Sequence, residues 1–205
     1  MDVLVNNAGR GIVAPVEAVT AQELRDLLEV NLVGVLTATQ AALPVMRRQR
    51  SGHIINVSSV AGRRATALSS AYNATKFALV GLSEALRQGL RGTGIQVSIV
   101  YPIDTESEFH HVKLKKTEQP RYGPIQSAAT VARAIVRCAR RPRPEVRGLD
   151  DGPDASSLTP GRPPPRSSEP CQTPERPLNA GLAFVRCSTQ NEIESQLINQ
   201  DSSTL

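Results

Sequence analysis

The sequence predicts an α/β protein built on a parallel sheet, and three observations carry that prediction. Apolar runs with strand character alternate with segments of helical period, in the order strand, helix, strand, helix, strand, loop, helix, which calls for right-handed crossovers with helices on both faces of the sheet. Aromatic residues are only 3 % of the chain and Trp is absent, so the core must come from Ala, Val, Leu and Ile, the residues of buried parallel strands and close-packed helices. Each strand-like run also ends in a small cluster of polar residues. With 205 residues and 40 % apolar content, one folded domain with a sizeable core is expected.

Taken in order, Val3 to Val5 form a short apolar run that Asn6-Asn7-Ala8-Gly9 ends, as a buried strand does when it breaks into a loop. Thr20 followed by Glu23 has the form of a capping box. Leu24, Leu27, Leu28, Leu32 and Val35 continue that helix at the 3.6-residue period, and Pro44 is expected to kink or end it. Ser51-Gly52 makes a turn, and His53 to Val57 form a second β-branched run closing on Ser58-Ser59. From Ser70 to about Arg91 the period is helical again, with Ala71, Ala74, Ala78, Gly81 and Ala85 allowing close packing, until Gly92 and Gly94 stop it. Ile95 to Val100 supply the third strand and Tyr101-Pro102 its exit. A polar, irregular stretch leads to a last helix over 127–141.

Beyond Arg141 the texture changes. Ten of the fifteen prolines fall between Pro142 and Pro177, among Ser, Arg, Gly and Asp. Such a segment buries too little apolar surface to offset the entropy of ordering it, so 142–205 is expected to be mostly disordered, with Leu182 to Val185 as a short sticky element. The predicted organisation is thus a folded part over 1–141 and a Pro-rich tail over 142–205.

Residues 1–147 hold 20 Lys or Arg against 11 acids, and 148–205 hold 4 against 8, which together give the net charge of +5. The positive charges are scattered and no aromatic side chains interleave with them, so the pattern does not point to nucleic acid and suits an anionic cofactor at least as well. Cys138, Cys171 and Cys187 form no CxxC pair and lie near no His cluster, which argues against zinc and against a disulfide framework. His110-His111 are adjacent, a poor arrangement for two ligands of one ion, so no metal site is expected. No leader pattern and no apolar run of about 20 residues is visible, which gives the expectation of a cytoplasmic chain without a membrane span.

In open parallel sheets, ligands bind beyond the carboxyl ends of the strands. Here those ends carry Asn6 to Gly9, Ser58-Ser59, and the stretch Tyr101 to Ser107, while the helix after the second strand opens with YNATK, in which Tyr72 and Lys76 share a face. A phenol with an ordinary pKa near 10 exchanges protons poorly at neutral pH, and a neighbouring ammonium favours its ionised form. A hydroxyl such as Ser59 aimed at the same point would hold a carbonyl oxygen where negative charge develops. Each part has a plainer reading on its own: an exposed Tyr–Lys pair, a strand-end turn, a turn-capping Ser59, a helical Asn31 bonded to backbone.

Together, DVLVNNAG, NLVG, INVSSVAG and YNATK stand in the order and spacing of the short-chain dehydrogenase/reductase family, and residues 1 to 141 resemble it. The family's serine lies thirteen residues before its tyrosine, which selects Ser59, and its helix asparagine a further twenty-eight back, which selects Asn31. The resemblance implies a Rossmann-like doubly wound sheet, an NAD or NADP cofactor, and interconversion of a ketone and a secondary alcohol. It implies that Tyr72 is the acid/base, that Lys76 lowers its pKa and binds the nicotinamide ribose, that Ser59 orients the substrate, and that Asn31 holds a water in a proton relay. Asn7, Ala8 and Gly9 would lie on the adenosine side of the cofactor, and Pro102 with the following loop, including Thr105 and Ser107, would flank the nicotinamide.

Two departures from the family pattern stand out. Ile103 replaces the usual Gly after Pro102, and the resulting PxDTxS stretch is similar to that of 3-ketodihydrosphingosine reductases, which hints at a lipid-like ketone. The family's opening strand, Gly-rich turn and helix, which bind the pyrophosphate, have no counterpart; the chain opens at the fourth strand, so at least two βα units of ~30 residues each are unmatched and truncation is expected. The family also implies pairing of two copies through the helices represented by 20–48 and 70–91. The competing expectation is therefore a catalytically impaired fragment acting only as a dimerisation module.

Overall fold

The computed structural model describes residues 1–110, 114, 117, 124–147 and 182–185. Five strands form one parallel sheet: β1 Val3–Asn6, β2 Gly52–Val57, β3 Ile95–Tyr101, β6 Glu145–Arg147 and β7 Leu182–Val185, in the order β6-β3-β2-β1-β7. A two-residue pair, β4 Thr105–Glu106 with β5 Gln126–Ser127, stands apart. The doubly wound parallel architecture expected from the sequence is present.

Alternation along the strands distributes the core to two faces. Val3, Val5, Ile55, Val57 and Val100 pack against Ala134, Ile135 and Cys138 of helix α4 Ala128–Arg140. On the opposite face Leu4, Ile54, Ile95 and Val97 meet Ala42 and Met46 of helix α2 Gly34–Gln49, with Leu86 of helix α3 Ser70–Gly89 packed beside them. Burying these side chains on both faces is what makes near-continuous apolar strands stable here, at roughly 1.5–3 kcal/mol for each large side chain.

The first helical region is less regular than its periodicity predicts. Helix α1 Ala21–Leu28 opens with the Thr20–Glu23 capping box, then Glu29–Val33 form a π turn before α2 begins. Of the two outcomes expected at Pro44, a kink or an end, the helix end does not occur there: α2 runs on to Gln49. Gln40 and Pro44 both lie on the solvent side, where water can satisfy the carbonyl that the missing proline N–H leaves free. By length and composition Ala21–Gln49 could also cross a membrane, which the sequence reading did not anticipate. Leu27, Ala42 and Met46 of this segment are buried in the core.

Two short strands lie in the region expected to be mostly disordered, one of them at the short element expected over Leu182 to Val185. Glu145–Arg147 joins the sheet edge beyond β3, so the sheet continues past residue 141, and Leu182–Val185 pairs with β1. The expected disorder of the rest of 142–205, and Cys171 and Cys187 with it, lies outside the described residues.

At the end of the sheet opposite the strand exits, His53 is buried, with Nε2 2.7 Å from Ser98 Oγ. Burial pushes its pKa down to about 4, partly offset by hydrogen bonding to the Ala139 backbone. A histidine whose folded pKa is depressed contributes stability that is present above the unfolded value near 6.5 and lost as pH falls from there towards 4. Denaturant unfolding from pH 7 down to 4 should therefore show a His53-dependent loss of about 3 kcal/mol, absent in His53→Gln.

Candidate active site

The strand exits of β1, β2 and β3 gather at one end of the sheet, and α3 crosses them. At the end of β2, Ser59 caps a short 3-10 turn, Val60–Gly62, by accepting the Ala61 N–H at 3.1 Å. The Val60 N–H bonds the Pro102 carbonyl at 2.9 Å, which ties this turn to the exit of β3. Gly62 lies hard against α3: a Cβ there would fall 2.5 Å from Ser58 Oγ and 2.8 Å from the Lys76 carbonyl oxygen. The absence of a side chain lets Ser59 approach α3 this closely.

From α3, Tyr72 and Lys76 reach the same region. The Tyr72 residue is partly exposed, but its hydroxyl lies in buried surroundings, near enough to Ser59 to feel that side chain. Burial pushes the phenol up to about 12, with the Ser59 bond acting in the opposite direction. Lys76 is 4 % exposed and donates from Nζ to the Val57 carbonyl at 3.1 Å; burial pushes its ammonium down to about 8. Its Nζ lies 5.8 Å from the Tyr72 ring centroid. Loss of water around the phenol is the largest influence on Tyr72, and the side chain that opposes it is Ser59.

Asn31 occupies the π turn, which carries an extra residue per turn and swings its amide inward, where it is fully buried. Its Oδ1 accepts the Arg10 N–H at 2.8 Å, and its Nδ2 donates to the Arg10 carbonyl and to Thr75 Oγ1, both at 2.9 Å. Thr75 in turn donates to the Tyr72 carbonyl at 2.8 Å. Asn31 therefore links the loop after β1 to α3. Sequence reasoning passed over Thr75, whose place inside YNATK was the available signal. Gly9 borders both groups: a Cβ there would lie 3.3 Å from Asn31 Oδ1 and 3.6 Å from Lys76 Nζ.

Beneath the site runs a buried polar chain that the sequence reading also missed. Asn6 and Asn56 are register partners; Asn6 Nδ2 donates to Asn56 Oδ1 at 2.8 Å, Asn56 Nδ2 to Ser83 Oγ at 2.8 Å, and Ser83 Oγ to the Leu79 carbonyl at 2.6 Å. Alternating polarity at two matched strand ends was the clue. Asn56→Leu would leave the buried Asn6 Nδ2 only its 3.5 Å bond to Thr39 Oγ1 and take from Ser83 Oγ the donor it accepts, and chemical denaturation should show a loss of about 2–3 kcal/mol.

The other singled-out residues are more dispersed. Asn7 is exposed and Ala8 half-buried. Thr105 donates to the Ile103 carbonyl and accepts from Gln126 Nε2 at 3.0 Å, and Ser107 accepts the Phe109 N–H at 3.4 Å, so both hydroxyls brace the loop itself. Phe109 brings its ring 5.8 Å from that of Tyr72, tilted by 52°. Leu114 bonds back to Gly11 through its N–H at 3.0 Å. His111 and the His110 side chain lie outside the described residues. Among the described residues no His, Cys, Asp or Glu group is arranged to hold a metal ion.

A family profile described as short chain dehydrogenase matches residues 1–118. The chain is 32 % identical over 159 residues to a ketoacyl reductase, HetN, of Nostoc, covering 78 % of this chain and 55 % of that protein. It is 41 % identical over 109 residues to a 3-ketodihydrosphingosine reductase of Bacteroides thetaiotaomicron, covering 53 % and 40 %. A short-chain dehydrogenase from Streptomyces avermitilis superimposes with a TM-score of 0.64 at 35 % identity, covering 73 % of this chain and 62 % of that one. The chain thus spans about half the length of the curated relatives it matches.

Proposed function

Because this chain belongs to the short-chain dehydrogenase/reductase family, we propose that it carries the proton-transfer site of an NAD- or NADP-dependent oxidoreductase that interconverts a ketone and a secondary alcohol. The observation that carries this reading is the approach of the Tyr72 hydroxyl to Ser59 beside a buried Lys76 at the strand exits. A bare Gly9 keeps space open beside the ammonium and Asn31, a cradle that a Cβ would fill and that suits the approach of a nicotinamide ribose.

Lys76 would hold the ribose hydroxyls and Tyr72 would border the ring, with Asn7, Ala8 and Gly9 on the adenosine side and Pro102, Thr105 and Ser107 towards the nicotinamide. The cofactor would supply the hydride. Ser59 and Tyr72 would both bond the substrate carbonyl oxygen, and Tyr72 would deliver the proton as negative charge develops there. A phenol held near 12 is protonated throughout the neutral range, which suits the reductive direction. Lys76, charged below about 8, would stabilise the phenolate that proton delivery leaves, and Asn31 beside Gly9 would hold the water that returns a proton.

A pH dependence follows. Lys76 loses its charge as pH rises through about 8, so kcat/KM for reduction is expected to be level below that pH and to decline above it. Phe109 over Tyr72 and Ile103 in the loop make an apolar approach, in keeping with a lipid-like ketone. The names of the ketoacyl and 3-ketodihydrosphingosine reductases to which the chain is similar support that class. Reduction of long-chain 3-oxo substrates and of small polar ketones, followed by nicotinamide absorbance with each cofactor, tests the reading. Faster turnover of the long-chain substrates is expected; absence of turnover on every ketone and alcohol would contradict it. The alternative of a purely dimerising fragment is not favoured, since pairing alone requires neither the buried lysine nor the Ser59–Tyr72 contact.

A further inference from the structure

We infer that the outer edge of β1 is a docking slot for a parallel strand, and that Leu182–Val185 is its detachable occupant, supplied by the same chain. Four register pairs define the contact, Val3 with Leu182 through Asn6 with Val185. The slot exists because β1 is covered on both faces: Val3, Leu4, Val5 and Asn6 are each 5 % exposed or less. A parallel strand directs alternate peptide groups to its two sides, and β2 satisfies only one side. Without a neighbour, the other side would present N–H and C=O groups with little access to water.

The occupant fits that need in sequence as well as in place. Leu182-Ala183-Phe184-Val185 is the one unbroken apolar run in a stretch otherwise rich in Pro, Ser and charge, bounded by Gly181 and Arg186. With four residues, the strand has few ladder bonds to hold it. Reach is ample: β6 and β7 stand at opposite sheet edges, four intervals of ~4.8 Å apart, and 34 residues separate Arg147 from Leu182 (181 − 147).

The slot also has a topological meaning. With β1 as the fourth strand of a doubly wound sheet, the order 3-2-1-4-5-6 places strand 1, whose exit bears the phosphate-binding turn, in this position. Leu182–Val185 and a strand bearing such a turn therefore exclude one another at this edge. This inference stands independently of the oxidoreductase reading.

Amide hydrogen exchange on the full chain and on Ala183→Pro tests it. Successive N–H groups of an edge strand face opposite sides, so Phe184→Pro is made beside Ala183→Pro and one of the two removes a ladder donor. Exchange in Val3–Asn6 should quicken at least tenfold while β2 and β3 keep their protection, and a synthetic peptide of residues 179–188 should restore it. Phe184→Asp, which leaves the backbone donors in place, should give the same local loss. Unchanged exchange in every variant overturns the pairing. Loss of protection throughout the sheet in every variant overturns the idea that the strand is detachable. Protection that depends on protein concentration, with a dimer in sedimentation, overturns its supply by the same chain.

Discussion

Tyr72→Phe is expected to lower kcat for ketone reduction by about 10²- to 10⁴-fold, the range set by removing a positioned acid. The ring keeps its contact with Phe109, and only the hydroxyl that meets Ser59 is lost. Because removing one neutral hydroxyl forfeits at most a modest interaction, stability should change by about 1 kcal/mol or less. The combination is diagnostic: a large kinetic loss with an almost unmoved unfolding transition belongs to a group that acts on the reacting atoms. A small kinetic loss, tenfold or less, would remove Tyr72 from the proton-transfer role.

Gly62→Ala should damage both fold and site. A methyl group 2.5 Å from Ser58 Oγ and 2.8 Å from a backbone carbonyl of α3 cannot be accommodated by rotating one side chain, so the turn Val60–Gly62 must move away from α3. Overpacking of this kind costs about 1–3 kcal/mol. The same movement carries Ser59 away from Tyr72, and a displacement of about 1 Å between reacting groups costs on the order of 10² in rate. Thermal unfolding and kcat measured on one preparation check both. Equal Ser59→Ala and Gly62→Ala rate losses, with the double variant no worse, would locate the kinetic defect in the Ser59 hydroxyl.

The residues show why some of this structure was legible in the sequence. Strand exits are visible because a buried parallel strand must be apolar until it leaves the sheet, so Asn6, Ser58 and Tyr101 mark three mouths with little ambiguity. Tyr72 and Lys76 were legible from their spacing in helical sequence, and the capping box at Thr20 from local chemistry. The π turn around Asn31 was not, because an extra residue in one turn leaves the apolar period on either side almost unchanged. Whether Pro44 ends its helix was not legible, because that depends on whether the freed carbonyl can reach water, a tertiary property. Glu145–Arg147 is too short and too polar to announce itself as a strand; β3 recruits it, helped by an ion pair from Glu145 to Arg63. The buried lysine pKa depends on packing from α3, β2 and the loop after β1, which no local pattern encodes.

Hydride transfer from a nicotinamide deuterated at its transferable position is the most direct test of a proton-transfer site at the strand exits. With a long-chain 3-oxo substrate the account predicts deuterium on the product carbinol carbon, at a rate that collapses in Tyr72→Phe. Deuterium transfer at an undiminished rate in Tyr72→Phe would contradict it, as would bound cofactor and substrate that exchange no deuterium in the unaltered protein.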